Sequence, residues 1–210
     1  KRKEKTMKNI VKKTKSKSGE NSFFSVIQRI GKAFFLPISV LPIAGILLGL
    51  GGSFTNQTTV ASYNLQWLLG EGTILNILLT IMAKVGSAIF DNLPLIFALA
   101  IALSMAKREK AVAVLSSAIA YIVMHVTINA MLILNGYILA DGTFSKKVLS
   151  GSVSSVLGIT SLEMGVFGGI IVGLGVAALH NRFYKQKLPV ALSFFSGVRF
   201  VPIISVLVFI

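Results

Sequence analysis

The sequence predicts an all-α fold: a polytopic transmembrane helical bundle of about five spans, one of them a broken helix, with a cytoplasmic N-terminus. Three observations predict it. First, 54% of the 210 residues are apolar and only 13% charged, and the mean hydropathy is +0.80. A soluble domain of this length buries about 70% of its unfolded-chain surface and still needs a polar skin that these few charges cannot supply. Second, the apolar residues gather into runs long enough to cross a hydrocarbon core about 30 Å thick, for which roughly 20 residues suffice. Third, the basic residues punctuate those runs. A formal net charge of +14 in a soluble chain would point to nucleic acid. Here eleven of the 21 Lys and Arg residues lie between Lys1 and Lys32, and most others sit at 107–110 and 182–199. The partner this implies is a lipid bilayer, and no nucleic acid.

Taken in order, residues 1–21 are basic and poor in apolar residues, which predicts a disordered cytoplasmic tail able to meet anionic head groups. Residues 22–210 form the membrane part. Phe23, Phe24, Ile27 and Ile30 recur at helical spacing beside Gln28 and Arg29, so Phe23–Gly31 reads as an interfacial amphipathic helix ahead of a first span, Phe34–Gly52. Thr73–Ala106 is apolar but near 50 Å long as a helix, too long for one plain crossing. Asp91-Asn92-Leu93-Pro94 interrupts it, with Asp91 as an N-cap and Pro94 in the first turn of the second piece. A third span is expected over Ala111–Leu134, a fourth over Leu162–His180, and a fifth opens near Phe200 and is still apolar at Ile210. The sequence therefore reads as truncated at its C-terminal end.

Counting Lys and Arg by side assigns 18 to the N-terminal tail and the loops 107–110 and 181–199, and two, Lys146 and Lys147, to the opposite loops. This is the bias of a protein whose N-terminus faces the cytoplasm. Lys84 alone falls inside an apolar run.

Small residues recur every fourth position as Gly165, Gly169, Gly173 and Ala177, with a shorter series in Gly45, Gly49 and Ser53. Such stripes let backbones approach, so the first marks a helix or subunit interface, within or between chains. Ser117, Tyr121, His125 and Asn129 share one face of the third span and should point away from lipid. The candidate substrate-binding residues are Asp91 and Asn92 at the helix break, where irregular backbone at membrane depth must be buried by protein or reached by water, and His125 on the polar face. Structural readings stand beside these: a cap for Asp91 and for Glu163, an interhelical hydrogen bond for His125. There is no cysteine, no metal-ligand cluster, no phosphate-binding glycine loop and no acid–base pair, so no cofactor, no metal and no catalytic residue is expected.

Four segments carry a resemblance: Gln28-Arg29-Ile30-Gly31-Lys32 running into LPISVLPIAGILLGLG, then FDNLPLIFALAIALSMAKREK, LEMGVFGGIIVGLGVAALHNRFY and KLPVALSFFSGVRFVPI. In order and spacing the chain resembles the membrane-embedded IIC component of bacterial sugar phosphotransferase systems, glucose/maltose/N-acetylglucosamine type, over nearly all of residues 21–210. Among subtypes it is most similar to maltose and glucose carriers. The resemblance implies the N-terminal part of a multi-pass protein of the bacterial cytoplasmic membrane, a homodimer. Such a protein takes up a sugar and hands it to a phosphorylated IIB partner, itself supplied by IIA and the general phosphocarrier proteins. The IIB phosphocysteine is not in this cysteine-free chain, so the phosphoryl-transfer residues lie elsewhere. The family's sugar-site glutamate belongs to a Gly-Ile-Thr-Glu-Pro type motif. GITSLE at Gly158–Glu163 resembles it superficially and falls too early, so that role is not carried to Glu163, and the principal sugar-binding residues, most of which the resemblance places in the second half of the domain, are expected to be missing from this sequence. Two other readings fit the same residues: an uncoupled secondary carrier or channel, and a membrane scaffold that transports nothing.

Overall fold

The computed structural model describes residues 2–139, 142–146 and 148–210, with side chains from residue 24. The long helices are α1 (Arg2–Thr55), α4 (Ile74–Asp91), α5 (Leu93–Met105), α6 (Lys110–Leu134) and α7 (Gly165–Phe183). Two short turns of helix, α2 (Gln57–Ser62) and α3 (Gln66–Leu69), follow α1, a hairpin of β1 (Val153–Val156) and β2 (Ile159–Leu162) precedes α7, and α8 (Phe200–Val208) comes last. Among the described residues, four helices are long and apolar enough to cross a membrane: Phe24–Thr55, Ile74–Asp91, Lys110–Leu134 and Gly165–Phe183. The chain is an all-α polytopic bundle with one small antiparallel hairpin set into it.

α1 and the α4–α5 pair run antiparallel, and backbone approach sets their register. A Cβ on Gly51 would collide with the backbone of Leu79 and Ala83, and one on Gly86 would lie 2.5 Å from the Leu48 nitrogen and 2.8 Å from the Ala44 oxygen. Further along, the Phe34 and Phe97 rings meet edge to face at 5.4 Å, and Ser104 donates to the Arg29 carbonyl at 3.4 Å. Each advance along α4–α5 matches an equal retreat along α1, so the break at Asn92 does not reverse the chain. Thr73–Ala106 is one broken crossing, as its length and its Asp-Asn-Leu-Pro interruption predict.

The break itself is built differently from the expectation. Asp91 is the last residue of α4 and accepts from the Ser87 hydroxyl at 3.2 Å. Asn92, not Asp91, stands at the N-cap of α5, with Pro94 in the first turn. The Asn92 amide reaches back to the Ala88 carbonyl at 2.7 Å. It is a second donor to a carbonyl that already accepts the Asn92 backbone N–H at 3.2 Å.

α7 runs parallel to α5. A Cβ on Gly169 would overlap the Pro94 carbonyl, and one on Gly173 would stand 2.7 Å from the Ala98 oxygen and 2.9 Å from the Ile101 side chain. Asn181 holds the far ends together: its amide donates to Met105 O at 3.0 Å, and its oxygen accepts from the Lys107 backbone N–H at 2.9 Å. His180 Nε2 meets the Arg108 carbonyl at 2.6 Å. α6 returns antiparallel to α5, with buried Ser117 donating to Ala98 O at 3.0 Å. Ala98, Ala120, Tyr121, Val172 and Val176 form the core between these three helices, while large apolar side chains such as Phe167 and Ile74 face outward.

Four expectations need correction. Phe23–Gly31 is not a separate interfacial helix, because α1 passes through it unbroken; a helix already nucleated propagates at one bond per residue. The backbone from Arg2 to Asn21 continues the same helix, where the sequence reading placed a tail without structure. The fourth span begins at Gly165 and not Leu162, because Ile159–Leu162 pairs with Val153–Val156 and Gly165 enters the helix at φ +51°. The connection that carries Lys146 between the third and fourth spans, expected as a loop, thus contains a hairpin.

We expect Gly169→Leu to destabilise the protein by about 1–3 kcal/mol, the usual cost of forcing atoms into packed space. Gly45→Leu should be nearly neutral, since nothing lies within 4 Å of a Cβ there. Thermal unfolding in detergent, followed by size-exclusion chromatography, compares the two.

Candidate functional site

The break between α4 and α5 lies near the middle of that crossing, and Tyr121–His125 lie near the middle of α6. Between them is a cavity of about 360 Å³ lined by Phe90, Asp91, Leu93 and Pro94 of the break, Tyr121 and His125 of α6, Ser154, Ser155 and Val156 of β1, and Glu163, Gly165 and Val166 at the start of α7. The Gly169 contact with Pro94 brings the α7 start beside the break. Without it, neither Glu163 nor Gly165 would reach the level of Asp91.

The hairpin reaches this level because α6 anchors it. His125 is 1% exposed, and its Nδ1 pairs with the Ser161 hydroxyl at 2.8 Å. One turn further, Asn129 donates its amide to the Thr160 carbonyl at 2.7 Å. The polar face Ser117, Tyr121, His125, Asn129 therefore divides its partners: Ser117 meets a helix, His125 and Asn129 meet the hairpin. The Tyr121 and His125 rings also pack edge to face at 4.6 Å.

Two polar atoms at the cavity wall have no hydrogen-bond partner, His125 Nε2 and Ser154 Oγ. Unpaired buried polar groups are rare and costly, and both of these atoms are closed off from the open space of the cavity. Glu163 and Asp91 are exposed. The Glu163 carboxylate lies over the opening turn of α7, one oxygen 3.7 Å from where a Cβ on Gly165 would be, but the α7 N-cap is Met164, with no side-chain cap bond.

Of the sequence candidates, Asp91 and His125 share the cavity. Asn92 does not line it; its amide serves the break. Gly169 and Gly173 pack on α5, while Gly165 opens α7 and Ala177 is buried further along the same helix. Sequence reasoning missed Ser154 and Ser155, which lie in a loop of unremarkable composition, and set Glu163 aside. Among the described residues no group of three or more His, Cys, Asp or Glu could hold a metal ion.

Residues 31–210 match the family described as Phosphotransferase system, EIIC. The chain belongs to this family. Similar proteins include the PTS system maltose-specific EIICB component of Escherichia coli K12, 38% identical over 187 residues, which covers 89% of this chain and 34% of that protein. The PTS system glucoside-specific EIICBA component of Staphylococcus carnosus TM300 is 40% identical over 207 residues, covering 96% of this chain and 28% of that one. This EIIC chain thus spans about a third of the length of the curated relatives it matches.

If the His125–Ser161 pair anchors the hairpin, Ser161→Ala should leave buried His125 Nδ1 without a partner at a cost of about 1–3 kcal/mol. Amide hydrogen exchange should then speed up in 153–162 ahead of the helices.

Proposed function

We propose that this chain is the sugar-carrying membrane domain of a phosphoenolpyruvate-dependent phosphotransferase system, seated in a bacterial cytoplasmic membrane with its N-terminus inside. Its substrate is maltose or another glucoside, and a phosphorylated EIIB partner converts that sugar to its phosphate. Within the family, the observation that carries this reading is the cavity at the helix break. Its volume lies within the ~300–1,000 Å³ usual for small-molecule sites. Its wall offers the Asp91 and Glu163 carboxylates as acceptors for a polyhydroxyl ligand. Apolar walls at Phe90, Leu93 and Val156 suit the carbon faces of a sugar ring.

In this reading Asp91 and Glu163 accept from sugar hydroxyls, and the His125–Ser161 pair holds the hairpin beside them. The helix break lets polar groups sit at depth without a bare backbone. Phosphoryl transfer needs a group from the EIIB partner, since this sequence holds no cysteine. The parallel pair α5–α7, tied by Asn181 at its Lys-rich end, links the cavity to the side from which such a partner would act.

Uptake of radiolabelled maltose and methyl glucoside by cells producing the complete gene product tests this reading. Asp91→Asn and His125→Ala should each lower the initial rate roughly tenfold or more, the loss of one hydrogen bond to a charged or buried group. The label should accumulate as sugar phosphate only when EIIB is present. Unphosphorylated sugar accumulating at the same rate without EIIB would favour an uncoupled carrier and contradict the proposal.

A further inference from the structure

The connection from α7 to α8 is closed at its base and apolar at its tip. The Phe183 and Phe200 rings meet edge to face at 6.0 Å, the Gly197 N–H donates to the Gln186 carbonyl at 2.7 Å, and the Leu188 N–H donates to the Ser196 hydroxyl at 3.0 Å. The chain therefore leaves and returns at one place, and about four residues on each side carry the tip no farther than roughly 13 Å from that tie. Between the ties, Val190–Phe195 is a short 3-10 helix without a buried residue. Val190 is 92% exposed and Phe194 69%, with Leu192 and Phe195 exposed beside them. The base is basic. Lys185, Lys187 and Arg199 are exposed, and no Asp or Glu occurs between Met164 and Ile210. Arg199 lies against the tip: its Nη1 donates to the Phe194 carbonyl at 3.3 Å, and its guanidinium stands 4.9 Å from the centre of the Phe194 ring.

From this arrangement we propose that the 186–197 loop is a membrane-interface anchor. Val190, Leu192, Phe194 and Phe195 enter the cytoplasmic leaflet, and Lys185, Lys187 and Arg199 bind the phosphate groups of anionic phospholipid. The inference goes beyond the sugar reading and takes from it only the side of the membrane on which the loop lies.

Large apolar side chains beside cations, with no acidic residue among them, make a segment that lies in the boundary between head groups and acyl chains. The negative surface potential of the cytoplasmic leaflet attracts each Lys and Arg placed there. The short reach of the loop keeps its tip beside the leaflet from which α7 and α8 emerge. Arg199 joins the two parts of the device: one face of its guanidinium rests on the Phe194 ring, while its remaining N–H groups have the planar geometry that suits a phosphate. His180 and Asn181 hold the 105–108 turn at this same end of α7, which adds the charges of Lys107 and Arg108. A phosphorylated EIIB domain would also suit the charge of this surface. Such a partner must leave to meet its own phosphoryl donor, and each departure would return the apolar tip to water, which soluble surfaces avoid. The leaflet covers the tip at all times.

Photocrosslinking of the complete gene product in native bacterial membranes tests this, with benzoylphenylalanine in place of Phe194 and the adducts identified by mass spectrometry. The expected adducts are phospholipids, with phosphatidylglycerol and other anionic species several-fold over-represented relative to the bulk membrane. Lys185→Gln, Lys187→Gln and Arg199→Gln together should return the adducts to bulk composition and leave the yield of lipid adducts largely intact. Adducts with EIIB, with a second copy of the chain, or only within the chain itself would mean that protein covers the tip, and would overturn the anchor. Lipid adducts of bulk composition without those substitutions, or an enrichment that survives all three, overturn the assignment of the cations to anionic head groups. No sugar enters the measurement, so either failure leaves the sugar reading standing.

Discussion

The Pro94 carbonyl occupies the space that a side chain at Gly169 would fill, and the rest of the arrangement follows from that contact. Between apolar helices in a bilayer there is little hydrophobic drive to associate; close packing and hydrogen bonds decide which faces meet. Gly169 lets α7 approach α5 backbone to backbone, Gly173 repeats the approach one turn on at Ala98, and Asn181 fixes the register from the other end. With the register fixed, α7 starts beside the α4–α5 break, and the hairpin that feeds it is held at the same level by His125 and Asn129. Cavity and fold are therefore one packing solution.

Much of this was legible in the sequence. Apolar run length marked the crossings and Asp91-Asn92-Leu93-Pro94 marked the break; of the four-residue glycine series, Gly169 and Gly173 pack on α5, whereas no atom of α5 lies within 4 Å of a Cβ on Gly165. Helical spacing on α6 put Tyr121 and His125 on one side, away from lipid. These are local signals, and local geometry is enough to read them. The hairpin was not legible: its strands are four residues long, and what holds it is a pair of contacts to α6 more than thirty residues away. Glu163 was set aside because a carboxylate before a helix has an ordinary capping explanation, and only the α5–α7 register brings it level with Asp91. Gly51 and Gly86 went unremarked because their meaning depends on which helix lies opposite.

The two ends of the α5–α7 pair are built for different tasks. At the Lys-rich end His180 and Asn181 satisfy the carbonyls of Met105 and Arg108 and the amide of Lys107, closing the turn into α6 with direct hydrogen bonds. At the cavity end the wall includes a two-stranded hairpin carried on two hydrogen bonds to α6 side chains; each end keeps buried polar atoms without a partner, His180 Nδ1 at the one and His125 Nε2 and Ser154 Oγ at the other.

The absence of native cysteine makes the central contact directly testable by paired cysteines in native membranes. With α7 parallel to α5 and Gly169 on Pro94, Asp91→Cys combined with Glu163→Cys should be bridged efficiently by a short bis-thiol reagent, while Met105→Cys combined with Glu163→Cys should not. Bridging of the second pair in preference to the first would mean that α7 runs the other way along α5, and the cavity described here would not exist.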